Sequence, residues 1–271
     1  MLTVHSIDDL GHPELRAYMT LRQEAEHRRQ GIFVGEGAKI TARLLESDLA
    51  VVSLALPESW LHKLQPLIDR HPEQIHAFVA DKPELEKLIG LKMYQGVTSV
   101  GRIPAPRSLD SLLNDTNRPR LVVATDDLTG SDNMGTVARN AVAFGADALL
   151  VGDTCCSAWL RKSVRTSMGT LFKLPVVESP DLPASLRQLR SRGVRIVAAH
   201  AHADQRRVSA VDLTGDVCIV LGSEGHGLRD AVLAECDDHV IIPMANDVDS
   251  LNVSSAGAVF LYEVARQRGK V

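Results

Sequence analysis

Five short stretches in the second half of the chain are apolar almost from end to end: LVVAT (121–125), ALLV (148–151), RIVAA (195–199), VCIVLG (217–222) and HVIIP (239–243). A strand with one wet face alternates polar and apolar residues, so strands without alternation are covered on both faces. Helical patterns separate them, over 134–144, 159–167, 182–192, 228–235 and 251–268, and LFKLPVV (171–177) reads as one more strand. Strand and helix in turn predict an α/β fold whose parallel sheet is packed on both sides.

Ahead of this run, GRIPAPRSLDSLLNDTNRPR (101–120) carries three prolines and little apolar periodicity before Leu109, so 101–118 reads as a linker. Residues 1–100 alternate shorter elements and predict a small α/β domain. They comprise a charged helix at 13–29, a strand in GIFVGEG (31–37) closing on a glycine turn, and helices at 38–45, 60–70 and 83–89. Strands at 51–56 and 75–79 complete the set. The second domain then covers 119–271, and 271 residues are ample for two cores.

The totals mostly exclude. No apolar run approaches the ~20 residues that span a bilayer. The opening MLTVHSIDDLGH has no basic segment followed by an apolar one, so no secretory signal is expected and cytoplasmic residence is. Cys155, Cys156, Cys218 and Cys236 lack C-x-x-C spacing and read as reduced thiols. His200 and His202 form H-A-H with no partner at a metal-ligand spacing, so no metal is expected. Residues 1–100 hold 11 Lys and Arg against 14 Asp and Glu, the remainder 19 against 20, so composition gives no basic footprint for nucleic acid.

Chemistry is therefore sought at the carboxyl ends of the strands, where open α/β sheets bind ligands. TDDLTGSDNMGTVARNAVAFG (125–145) offers Asn133 as a helix N-cap, and Arg139 as a lone charge on a small, apolar helix. That arginine either pairs at an interface or serves a site. IVLGSEGHGL (219–228) leaves its strand through three glycines around Glu224, which suits a plain turn or a close ligand. Its spacing is not the dinucleotide fingerprint, which argues against a nucleotide-dependent oxidoreductase. DSLNVSSAGAV (249–259) starts a helix that Ser250 or Asn252 can cap, yet capping explains one polar residue there, not four.

Together these stretches resemble the SpoU family of SPOUT RNA methyltransferases. The first motif, N-x-G-x-x-x-R-x-x-x-x-x-G, is matched by Asn133, Gly135, Arg139 and Gly145. An apolar strand running into G-x-E-G-x-G is matched by Gly222, Glu224, Gly225 and Gly227. I-P-M followed by S-L-N-V-S is matched by Ile242, Pro243 and Met244 and then Ser250 through Ser254. RTSMGTLFKLPV (165–176) is similar to a fourth family stretch, and the likeness covers about 119–268. Gly130 and Ser131 replace the family's common Asp-Pro, and Thr166 and Thr170 stand where alanine is common.

The resemblance implies a deep trefoil knot in the C-terminal domain, although knots are otherwise rare. It implies S-adenosylmethionine held by Leu221, Gly222, Gly225, Ile242, Met244 and Leu251, and methyl transfer to a ribose 2′-hydroxyl of RNA, with ribosomal RNA ahead of transfer RNA. Arg139, Asn133, Glu224, Ser250 and Asn252 are the implied catalytic set, in a homodimer with sites near the interface. A guanidinium is a poor general base, so Arg139 is expected to bind phosphate and orient the hydroxyl. Ser250 and Asn252 are expected both to cap the last helix and to shape the site. The N-terminal part looks like the family's substrate-binding domain. Arg161, Lys162 and Arg165 are candidate RNA contacts on one helix. Arg22, Arg28 and Arg29 are interleaved with Glu24 and Glu26 and read as a solvated face. The competing reading is a non-catalytic RNA-binding or ribosome-assembly protein.

Overall fold

The computed structural model describes all residues except 1, 8–11, 22, 91, 94, 113–118, 201–205 and 247, and the side chains of 6 and 112. The chain divides into two compact units. One comprises Met1–Ala105 with Trp159–Phe172, the other Pro106–Ala158 with Lys173–Val271.

The first unit opens with β1 (Leu2–Ser6), α1 (Arg16–Met19), α2 (Glu24–Arg29), β2 (Ile32–Glu36) and α3 (Ala38–Leu45). It continues with β3 (Val51–Leu56), α4 (Glu58–Ile68), β4 (Ile75–Val79), α5 (Lys82–Ile89) and β5 (Thr98–Arg102). The sheet order is β1-β4-β3-β5-β2, with β1, β3 and β4 mutually parallel and β5 antiparallel to both β3 and β2.

Two readings of the sequence need correction here. The helix expected over 13–29 is a 3-10 turn at Pro13–Leu15 and two short helices. Thr20 breaks it: its hydroxyl donates back to Arg16 O at 2.9 Å and its backbone leaves the helical region. The start of the expected linker is instead strand β5, whose polar Thr98 and Ser99 hide it from a hydropathy pattern. Ser99 is fully buried, accepting from the Thr41 hydroxyl at 3.1 Å. Gly101 lies in the same strand, paired with Phe33, whose ring a Cβ at that position would meet at 2.5 Å.

The first unit also holds α8 (Arg161–Thr166) from far along the chain. The α6 (Leu109–Leu112) and α7 (Ser131–Ala143) helices precede it and belong to the second unit. The Trp159 and Phe172 rings at the two ends of this insertion pack on Phe33, with centroids 5.1 and 5.3 Å away.

The second unit is a six-stranded parallel sheet ordered β11-β9-β10-β6-β7-β8. Its strands are β6 (Leu121–Thr125), β7 (Ala148–Val151), β8 (Val176–Glu178), β9 (Arg195–Ala199), β10 (Val217–Leu221) and β11 (Asp238–Val240). Every residue of β6, β7 and β10 is buried, as continuous apolar strands require. The helices α9 (Leu182–Ser191), α10 (Asp230–Leu233) and α11 (Val253–Gln267) complete it. The strand expected over 171–177 is split into a 3-10 turn, Thr170–Lys173, and β8. Pro175 lies between them and has no amide to donate, though its carbonyl still takes the Leu149 amide at 2.9 Å. No helix among the described residues is long and apolar enough to cross a membrane.

Candidate active site

Three loops at the carboxyl ends of β9, β10 and β11 enclose a cleft of about 460 Å³, within the ~300–1,000 Å³ usual for small-molecule sites. Leu221, Val240, Ile242, Met244 and Phe260 give it an apolar side, while Ser223, Glu224, Asp249 and Ser250 give it a polar one. All six residues expected to hold a cofactor line this cleft: Leu221, Gly222, Gly225, Ile242, Met244 and Leu251.

The turn after β10 is fixed by its own backbone. Ser223 and Gly227 exchange amide-to-carbonyl bonds of 2.9 and 3.0 Å, and the His226 amide donates to Ser223 Oγ at 3.1 Å. Gly222 lies so close beneath the returning strand that a Cβ would fall 2.4 Å from Gly227 C and O. Only glycine fits there without moving backbone.

The segment after β11 runs irregularly to Asn252, which caps α11: its Oδ1 accepts from the amides of Ser254 at 3.0 Å and Ser255 at 3.4 Å. The other end of the same amide group donates to Asn133 Oδ1 at 3.0 Å and to Glu224 Oε1. Asn133 Nδ2 donates to that same Glu224 oxygen at 2.8 Å. Three motifs, more than a hundred residues apart at their extremes, thus close a triangle of side chains. The triangle leaves Glu224 held by two neutral donors at the cleft wall.

Two cap assignments are corrected. Gly130, not Asn133, occupies the N-cap of α7, with the Met134 amide bonded to its carbonyl at 3.0 Å. Asn133 falls in the first helical turn, so its side chain is free to reach Glu224. At α11 the cap is Asn252, and Ser250, two residues ahead, stands in the cleft wall instead.

A second cluster was not read from the sequence. Asp126, fully buried just beyond β6, accepts from the Arg229 amide at 2.9 Å and from its Nε at 2.7 Å. The remaining guanidinium nitrogens donate to both Asp153 oxygens, at 3.0 and 2.9 Å. Arg229 therefore bolts the far end of the glycine turn to the ends of β6 and β7. Its hydrogen bonds hold the Asp153 carboxyl below the usual range against a smaller opposing effect of burial. The only local signal was a pair of aspartates directly after a buried strand.

The model of the SpoU rRNA methylase family matches residues 120–262, which contain the cleft, the triangle and the buried ion pair. The chain belongs to the SpoU rRNA methylase family. Among similar proteins, the 23S rRNA (guanosine-2′-O-)-methyltransferase RlmB of Ralstonia nicotianae is 33% identical over 71% of this chain and 77% of that enzyme. An uncharacterized tRNA/rRNA methyltransferase of Mycobacterium ulcerans is 32% identical over 69% of this chain, and the match spans 61% of its length. The SpoU methyltransferase AviRb from Streptomyces viridochromogenes, solved in complex with AdoMet, superposes with a TM-score of 0.79. It shares 28% identity over 95% of this chain and 98% of its own.

Among the remaining candidates, Arg139 of the SpoU chain is not a lining residue of the cleft. Arg139 is exposed on α7, on a face shared with Asp132, Thr136 and Ala143. Beside that helix packs α11, joined to it by Asn140 Nδ2 donating to Ser254 O at 2.8 Å and by the Phe144 and Tyr262 rings. Arg161, Lys162 and Arg165 sit on α8 in the first unit, where the Arg161 guanidinium is paired with Glu36 and Arg165 is 3.7 Å from it. Arg29 pairs with Glu26; Arg22 and His202 lie outside the described residues. His200 lines the cleft, its ring 5.8 Å from that of His239. Burial pushes the thiols of Cys155 and Cys218 up, and that of Cys236 to about 12, so these three stay protonated at neutral pH.

Proposed function

We propose that this SpoU-family chain transfers a methyl group from S-adenosylmethionine to a ribose 2′-hydroxyl of ribosomal RNA. One observation carries the reading: the Asn133–Glu224–Asn252 triangle stands at the wall of a cleft lined by a glycine turn and by the 242–251 segment. The residues suit the cofactor. The apolar side accepts a purine, the glycine turn offers backbone groups that no side chain obstructs, and Glu224 and Asp249 favour a cation. When bound, the cofactor supplies an electrophilic methyl group on a positively charged sulfur.

An alcohol is a weak nucleophile, so the protein must align it and ease loss of its proton. The triangle fixes Glu224 in one orientation before substrate arrives. Arg139 binds the adjoining phosphate and orients the hydroxyl, with the proton leaving to phosphate or water. Support for a homodimer comes from the packed pair α7 and α11, on which Val259 is 37% and Tyr262 49% exposed and Arg139 is exposed as well. A second copy on this pair brings Arg139 to a subunit boundary. A trefoil knot fits a chain that leaves the sheet at its edge strand β11 yet packs its last helix near the centre, against β10 and α7. The first unit serves as the substrate-binding domain, a linker follows β5, and Arg161, Lys162 and Arg165 contact RNA phosphates. The protein acts in the cytoplasm.

Ribosomal RNA is favoured over transfer RNA because relatives are named for guanosine in 23S rRNA. The test offers methyl-labelled cofactor with unmodified 23S rRNA, 16S rRNA or tRNA in separate reactions. Label in 23S rRNA is expected. Label confined to tRNA overturns the substrate, and none in any RNA, with cofactor bound, makes the chain a binding protein.

A further inference from the structure

We propose that His5, His12 and His76 form a transition-metal site in the first unit, taking zinc or a similar borderline divalent ion. In the parallel pair β1 and β4, Thr3 stands opposite His76 and His5 opposite Phe78. Alternate residues of a strand share a face, so His5, His76 and Phe78 lie on the same side of the sheet. His5 Nε2 and His76 Nδ1 are 2.9 Å apart and share a proton. His12, directly ahead of Pro13, has its ring centroid 4.4 Å from that of His5 and 5.2 Å from that of His76. One ring nitrogen from each of the three lies within 4.8 Å of the other two.

Three neutral imidazoles without a carboxylate or thiolate select zinc, copper or nickel over magnesium or calcium. Zinc–nitrogen bonds of ~2.0–2.1 Å in tetrahedral geometry place ligand nitrogens about 3.3 Å apart. The His5–His76 pair need only open slightly, and His12 close in. Two hydrogen bonds are given up. The proton shared by His5 and His76 moves through solvent to the outer nitrogen of the ring that donated it, so both rings bind as neutral imidazoles. His12 Nδ1, which now accepts from the Glu14 amide at 3.2 Å, releases that bond whichever of its nitrogens binds the ion. The rings are half-buried, and those of His5 and His12 rest on Phe78 at 5.2 and 5.0 Å, which fixes their orientation. The fourth position stays open for water or another ligand. The ion would tie β1, at the edge of its sheet, and His12 to β4. Nothing in the methyl-transfer chemistry requires it.

The test titrates zinc chloride into full-length, metal-free protein and into His5→Gln, His76→Gln and His239→Gln, each first shown to be folded by circular dichroism. The wild type should take one equivalent and its thermal midpoint should rise. Affinity should fall about tenfold or more in His5→Gln and His76→Gln. It should not change in His239→Gln, which alters the other histidine pair. Cobalt in place of zinc should show visible d–d bands without thiolate charge transfer. No binding by the wild type, equal affinity in the variants, or thiolate bands from cobalt would each overturn the proposal. Two histidine variants are included so that one failing to fold leaves the other decisive.

Discussion

At the residue scale, Asn252 performs two tasks because an amide group has an acceptor on one side and donors on the other. The oxygen caps α11, and the nitrogen holds Glu224 and Asn133. The substitution Asn252→Asp separates them. A carboxylate caps a helix as well as an amide does, so unfolding free energy should stay within about 1 kcal/mol of wild type. The new charge faces Glu224, however, and the displaced site should lose about a hundredfold in kcat/KM. Asn252→Ala should lose the same activity and about 1 kcal/mol of stability as well. Denaturant unfolding and steady-state kinetics on both variants check this; full activity in Asn252→Asp would sink the assignment. Much of this was legible in the sequence, because Asn133, Glu224 and Asn252 are polar residues where apolar elements begin or end. Which of them caps was not legible at Asn133, since Gly130 takes that position by backbone conformation alone. Nor was the Asp126–Arg229 pair, whose partners are 103 residues apart.

At the element scale, the glycine turn after β10 depends on a close approach and on an anchor. In Gly222→Ala the new Cβ meets backbone at Gly227 and Leu228, which cannot step aside as a side chain would. The turn must shift, and cofactor affinity should fall by more than tenfold in a calorimetric titration, an effect of about 1.4 kcal/mol. The anchor is tested by Arg229→Met, which leaves buried Asp126 without its charge partner. Loss of about 3 kcal/mol is expected, toward the low end for buried pairs because the guanidinium is itself 35% exposed. Asp153 gives this anchor a pH dependence. Its folded carboxyl titrates below its unfolded value, so its contribution is complete above the ordinary carboxylate range near ~4. That contribution disappears as pH falls through the depressed value, and Arg229→Met should remove this part of the acid sensitivity. Elements with uniform composition, such as β6 and β7, were readable to the residue. Those broken by one side chain were not: Thr20 divides the first helix, and Pro175 divides the stretch before β8.

At the scale of the whole molecule, the sequence could not show that residues 159–172 pack with the first unit. Their contacts are long-range, Arg161 with Glu36 across 125 positions and Trp159 on Phe33, and no local pattern encodes them. The packed pair α7 and α11 carries the dimer proposal. Light scattering should find twice the chain mass, and Tyr262→Arg should give a monomer with much reduced methyl transfer and an unchanged fold. A wild-type monomer would contradict it. The most direct test of the central claim is the chemical position of the transferred methyl. Labelled rRNA is digested to nucleosides, and the label is located by mass spectrometry, for the wild type and for Arg139→Ala. Label is expected on a ribose 2′-oxygen, at a phosphodiester resistant to alkali, and nearly none with the variant. Label on a base, or full ribose labelling without Arg139, would contradict it.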